Sequence, residues 1–144
     1  MSSVYLLKLD FTDNDFSYIR KIRKKVFTTE LGISESELFD ESDKICDHFI
    51  ILNKNSVIGT VRFLKILKKV KLERMAILNE FRMNHYGKDC ILQLKEFYNT
   101  LGYTRMILDS IYSVIDFYKK CGFSEEGKIF QRVGIDHIQM SSNL

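Results

Sequence analysis

The chain has 144 residues, 45% of them hydrophobic with eleven Phe and seven Tyr, and a formal net charge of +3. That length fits one domain over residues 1–144, which buries roughly two-thirds of its unfolded surface and needs neither disulfides nor a metal. Three widely spaced cysteines (Cys46, Cys90, Cys121), an opening segment without a secretory signal and the lack of any apolar run near the ~20 residues that span a bilayer lead us to expect a cytoplasmic, non-membrane protein.

Residues 4–9 form an apolar run of strand length. Thr12-Asp13-Asn14-Asp15 offers N-cap chemistry for a helix reaching Glu30, with Phe16, Ile19, Ile22, Val26 and Phe27 as its buried stripe and Gly32 as its stop. Its basic run, 20–25, reads as a solvated helix face, which argues against nucleic acid as the main partner. Residues 34–44 are acidic and loop-like. Strands are expected over 48–53, 56–66 and 70–77, joined by tight turns at 53–55 and 68–69 as an antiparallel meander. Residues 86–101 then switch to helical period, with Cys90, Ile91, Leu94, Phe97 and Leu101 on one face. A strand at 105–108, a helix at 114–121 and strands at 126–130 and 135–140 complete an α/β chain with a mixed sheet.

The junction between strand 70–77 and helix 86–101 carries Arg82, His85 and Lys88. The first amides of a helix lack intrahelical acceptors and favour an anion, so this turn is suited to hold phosphate. Tyr118 lies on an apolar helix face beside Phe117. His48 and His137 fall at strand positions, but Cys46-Asp47-His48 alternates faces and has no metal-ligand spacing, so no metal is expected. Cys121, at a helix C-terminus, reads as a core thiol.

Five segments resemble, in order, the GNAT acyltransferase superfamily and its ElaA-like branch: IRKKVF at 22–27, the acidic 37–43 leading to His48 and Phe49, LERMAI at 72–77, DFYKKCGF at 116–123 and GIDHIQM at 134–140. The resemblance implies a GNAT fold, a mostly antiparallel splayed sheet of six to seven strands with helices on both faces. It further implies acetyl-CoA as co-substrate, its pantetheine arm paired to backbone near Met75 and Ile77 and its pyrophosphate on Met83, Asn84, His85, Tyr86, Gly87 and Lys88, with Arg82 opening the loop. By the same resemblance Tyr118 protonates the departing thiolate, Glu73 takes the proton of an acceptor amine, and Asp43, His48 and His137 lie on the acceptor side. Homodimer formation is a family habit, without an interface fixed here.

The departures from the family fall in this loop and around the cleft. Met83 and His85 stand where glycine is expected, Glu30-Leu31 replaces an EQ pair, Ile111 replaces a polar residue, and Arg132 replaces a glutamate. Two functions follow: an acetyl-CoA-dependent N-acetyltransferase acting on a primary amine of a small molecule or protein, or a catalytically weakened or inactive GNAT-fold acyl-CoA-binding or interaction module. Asp40, Glu41 and Asp43 suggest attraction for a cationic amine.

Overall fold

The computed structural model describes residues 3–144. Strand β1 (Val4–Leu9) leads to helix α1 (Phe16–Arg23), which continues as π-type turns over Lys24–Glu30 until Gly32, at φ 73°, reverses the chain. The helical extent agrees with the periodicity; the wider winding of its second half was not legible in it. The acidic segment folds into two 3-10 turns, Glu35–Glu37 and Glu41–Lys44. Strands β2 (Asp47–Asn53), β3 (Ser56–Ile66) and β4 (Lys69–Ile77) form the expected meander. Helix α2 (Tyr86–Thr100), β5 (Arg105–Ile111), helix α3 (Ile115–Lys120), β6 (Ser124–Arg132) and β7 (Ile135–Asn143) follow. The seven strands make one sheet in the order β1-β2-β3-β4-β5-β7-β6, antiparallel at every pairing but β4–β5.

Alternation along each strand divides the side chains between two faces. On one face Phe49, Val61, Phe63, Leu72, Met106, Leu108, Ile138 and Met140 pack with Cys90, Ile91, Leu94 and Tyr98 of α2 and with Cys121 and Phe123 after α3. On the other, Phe16 and Ile19 of α1 meet Ile50, and Ile22 and Val26 meet Ala76. The buried stripe of α2 departs from expectation at its C-terminal end. Phe97 and Leu101 are exposed, and Tyr98 is buried instead, its hydroxyl donating to Asp47 Oδ2 at 2.8 Å. That bond satisfies a buried phenol, and a buried polar group without one is costly.

Two irregularities in β4 shape the centre of the sheet. Thr60 pairs with Ala76 but Arg62 with Glu73, so Val61 alone faces Arg74 and Met75, a β-bulge with Arg74 at φ 54°. The extra residue overturns simple alternation. Glu73 does not share a face with Met75 and Ile77; Leu72, Met75 and Ile77 all pack toward α2, whereas Ala76 packs toward α1. The second irregularity lies on the opposite edge. β4 and β5 pair only from Lys69↔Arg105 to Leu72↔Leu108, although the strands continue to Ile77 and Ile111. Beyond Leu72 and Leu108 the sheet splays open.

Candidate active site

The splay leaves backbone groups of β4 without a strand partner. Leu78 N–H donates to Ile58 O on the β3 side at 2.8 Å. Successive residues of a strand direct their backbone groups to opposite edges, so Ile77, and Met75 before it, face the gap. The Ile77 carbonyl is already engaged, accepting from Arg82 Nε at 2.8 Å. Arg82 also contacts Asn79 Oδ1 at 3.4 Å and Glu30 Oε2 at 2.8 Å. The arginine expected to open the loop is therefore its anchor as well.

From Arg82 the chain turns into α2 through Met83 at φ 66° and His85 at φ 63°. Both residues replace glycines of the family pattern, yet both hold the left-handed conformation for which glycine is used. This geometry costs each non-glycine residue about 1 kcal/mol. Asn84 Nδ2 donates to Arg82 O at 3.0 Å, bracing the turn. The side chains of Met83, Asn84 and His85 are exposed, while Asp89 N–H makes the first bond of α2, to His85 O at 3.0 Å. The amides ahead of Asp89 belong to the helix turn that has no intrahelical acceptors. Gly87 is needed for a different reason. A Cβ there would lie 2.9 Å from Phe117 Cζ, so glycine lets the first turn of α2 seat against α3.

Tyr118 is half-buried on α3, its ring set edgewise against Phe117 and Phe123 at 5.0 and 5.9 Å. Burial pushes its phenol well above the ordinary value, and the thiols of Cys121 and Cys90 push it further. Tyr118 is thus held as a neutral O–H donor. Phe117 and Tyr118 both pack with the α2 side of the core, as do Met75, Ile77 and Tyr86.

The acidic segment performs a different task from the one its composition suggests. Arg23, Arg62 and Arg74, from α1, β3 and the β4 bulge, close on it. Arg23 is fully buried, bonded to Asp43 at 3.0 Å and to Leu38 O at 3.1 Å. Arg62, 1% exposed, reaches Asp40 at 2.7 Å, Asp43 at 2.9 Å and Glu73 at 3.1 Å. Arg74 donates to Leu38 O at 3.2 Å and Asp40 Oδ2 at 3.3 Å. Arg23 is consequently no part of a solvated helix face. Burial lowers its guanidinium to about 10, against the opposing pull of Asp43. Asp40 is held below the usual carboxylate range by its hydrogen bond to Arg62.

These contacts use up the charges that were candidates for attracting an amine. Asp43 is fully buried, Asp40 is shared by two arginines, and the exposed Glu41 pairs with Lys44 at 2.9 Å. His48 is also fully buried, its Nε2 2.7 Å from Asp43 O, an arrangement that makes Nε2 the donor and leaves Nδ1 without a partner. Burial lowers the pKa of His48 and keeps it neutral. Asp43 and His48 thus brace the arginine cluster from within. Glu73, by contrast, stays partly exposed beside the gap.

Asp109 was missed by sequence reading. It is the first residue of β5 beyond the last β4–β5 pair, as Glu73 is on β4. Leu108 packs toward α2, so alternation turns Asp109 to the opposite face. There it takes Lys71 Nζ at 2.9 Å and Arg132 Nη1 at 3.0 Å. Burial alone would raise its carboxyl, but the hydrogen bonds and charges of Lys71 and Arg132 bring it below the ordinary value. Lys71 also lies 3.9 Å from Glu73, so it bridges the two carboxylates at the mouth of the splay. Arg132 stacks over Phe130 at 5.1 Å, and Phe130 stacks on His137 at 5.8 Å. His137 is buried with Nδ1 2.8 Å from Ile135 O. Next to this row an open hollow of about 430 Å³ runs between Ile111, Tyr112, Ser113, Gly134, Ile135 and Asp136. Among the described residues no helix is long and apolar enough to cross a membrane.

Comparison with known proteins agrees with this geometry. The chain is 32% identical to the uncharacterized protein YyaT of Bacillus subtilis (strain 168), over 92% of each chain. Its fold matches the crystal structure of Escherichia coli ElaA with a TM-score of 0.82, at 18% identity over 96% of this chain and 99% of that one. It also matches a B. subtilis acetyltransferase crystallised in complex with CoA, with a TM-score of 0.72 at 14% identity over 98% and 99% of the two chains. The profile of the Acetyltransferase (GNAT) family matches residues 16–123, three-quarters of the sequence, and the chain belongs to that family.

Proposed function

We propose that the protein is an acetyl-CoA-dependent N-acetyltransferase that acts on a primary amine by direct attack in a ternary complex. The observation that carries this reading is the splay after Leu72 and Leu108, with its unpaired β4 edge leading into a left-handed turn at the start of α2. A thioester arm lying along that edge resembles strand addition. The CoA complex of the B. subtilis acetyltransferase, on the same fold, supports the choice of ligand.

The acetyl thioester supplies the activated acyl group. The backbone amides near Met75 and Ile77 hold the arm and oppose charge on the carbonyl oxygen as the amine nitrogen adds. Amides at Met83 to Lys88, together with the Arg82 and Lys88 cations, hold the pyrophosphate. Glu73 takes the proton released by the acceptor ammonium. As the carbon–sulfur bond breaks, the Tyr118 hydroxyl, kept neutral by burial, donates its proton to the leaving sulfur, and the second proton shed by the adding nitrogen restores the phenol. His137 and the β6–β7 hairpin border the acceptor.

A second reading, an acyl-CoA-binding or interaction module with weakened or lost catalysis, is favoured by the departures from the family pattern, Met83 and His85 in place of glycine first among them. Isothermal titration with acetyl-CoA and with CoA, followed by thiol release with an amine panel, separates the two. Micromolar binding with turnover is expected. Binding without turnover on any amine selects the acyl-CoA-binding module, and no binding up to millimolar concentration refutes acetyl transfer and leaves a GNAT-fold interaction module.

A further inference from the structure

We infer that the acceptor is an amine carrying a neighbouring anionic group, held by exchange across the Asp109–Arg132 pair. The inference rests on the acetyl-transfer reading and deepens it. Asp109 and Glu73 are the two carboxylates immediately past the last pairing of β4 with β5, and Lys71 joins them. They lie on the face opposite α2 and α3, whose side chains fill the other side of the sheet. An acceptor reaching the gap from this face, beside α1, meets the half-exposed Arg132 before the Asp109 it pairs with.

The two carboxylates differ in what holds them. Glu73 is fixed by Arg62, itself 1% exposed and bound to Asp40 and Asp43. Asp109 shares a lysine and an arginine whose side chain is 49% exposed and lies on a hairpin strand at the sheet edge. Arg132 also has a second mooring over the Phe130 ring, from which the guanidinium can pivot. An incoming ammonium can therefore displace Arg132 from Asp109, whereas it cannot displace buried Arg62 from Glu73.

Charge matching then selects the acceptor. A simple amine that displaced Arg132 would leave that guanidinium without its partner and gain little. An anion alone would draw Arg132 away and leave Asp109 with Lys71 as its one remaining cation. A molecule with both charges gives each side chain a new partner, and the planar guanidinium binds a carboxylate through two parallel donors. The same arginine stands where the family pattern leads one to expect glutamate, a reversal of sign at the hairpin. The surrounding charges agree: Asp40, Asp43 and Glu41 are all paired, so no free acidic field invites a polycation.

The test uses matched pairs that differ only by a carboxylate: phenylalanine and phenethylamine, arginine and agmatine, lysine and cadaverine. The full chain is first titrated with acetyl-CoA, then saturated with CoA and titrated with each compound; thiol release is followed with acetyl-CoA. The carboxylate-bearing member of at least one pair is expected to bind, and to turn over, at least tenfold better. Arg132→Gln should erase that ratio without changing acetyl-CoA affinity, and Arg132→Lys should keep part of it. Equal or better response to the decarboxylated amines overturns the proposal, as does an unchanged ratio in Arg132→Gln. Silence from every pair while acetyl-CoA binds also overturns it, and acetyl transfer is then decided by turnover on the wider amine panel. Failure to bind acetyl-CoA removes that reading and this one together. A lowered melting temperature in Arg132→Gln with the ratio intact would assign the pair to holding the hairpin alone.

Discussion

Arg82 joins two loops that the sequence separates by about fifty positions: its guanidinium meets the Glu30 carboxylate at 2.8 Å, at the end of the π-wound turns after α1. The same side chain caps Ile77 O at the edge of the splay. The turn proposed to hold the pyrophosphate and the end of the π-wound segment thus share one cation.

Because both partners are partly exposed, breaking the pair should change stability by less than about 1 kcal/mol. Its effect on ligand should be larger. Glu30→Gln frees the arginine and is expected to tighten acetyl-CoA several-fold, with a steeper loss in salt. Arg82→Ala removes a charge-assisted contact worth roughly 1.5–3 kcal/mol and should weaken binding by about tenfold or more. Titration at two ionic strengths checks both, and a weaker Glu30→Gln would contradict the shared-cation account.

His85 holds φ 63° with a side chain on Cα. His85→Gly should remove strain of about 1 kcal/mol, partly offset by the added freedom of glycine in the unfolded chain. The urea midpoint is expected to hold or rise slightly, and acetyl-CoA should bind as tightly or more so. A large loss of affinity would show that the imidazole itself contacts the ligand.

The buried neutral His48 predicts a pH dependence with a definite sign. Its pKa is lowered in the fold from an ordinary 6.5, so below that pH the unfolded chain binds a proton that the folded one does not. Stability from this site is complete above pH 6.5 and falls as the pH drops toward the lowered value. His48→Gln keeps a donor for Asp43 O but cannot titrate. Urea midpoints measured from pH 7.5 down to about 5 should fall for the wild type and stay flatter for the variant. Parallel curves would assign the acid sensitivity elsewhere.

Tyr118→Phe deletes one oxygen and keeps the packing against Phe117 and Phe123. Turnover is expected to fall by roughly a hundredfold, within the range for a positioned general acid, with acetyl-CoA affinity unchanged. A drop in affinity equal to the drop in rate would make the residue a wall of the pocket instead.

The parts of the fold legible in the sequence were those set by local periodicity. Strands 4–9 and 56–66 and the start of α2 at Tyr86 were read to the residue. What escaped depends on contacts distant in sequence. The bulge at Arg74 cannot be seen in an alternating pattern, because it exists only in the register with Thr60 and Arg62. Arg23 looked solvated, since a run of charges does not announce that Asp43, twenty positions away, will bury one of them. Asp109 carried no motif; its place at the mouth of the splay is set by where β4 stops pairing, and its partners come from β4 and β6. Met83 and His85 were readable as departures, but not as residues that keep the glycine conformation, since about 1 kcal/mol each is a cost the surrounding turn can carry.

Among the described residues, strand pairing joins the β1–β4 half of the sheet to the β5–β7–β6 half over four residue pairs, with the Lys71–Asp109 ion pair beside them. The free molecule is therefore built with a seam, along which the outward peptide groups of β4 have no strand partner. A ligand laid into that seam would act as a missing strand and fuse two half-sheets into one. Its binding energy would appear as resistance to unfolding, growing with ligand concentration. Such an enzyme would be toughest when supplied with substrate and most easily pulled apart when starved of it.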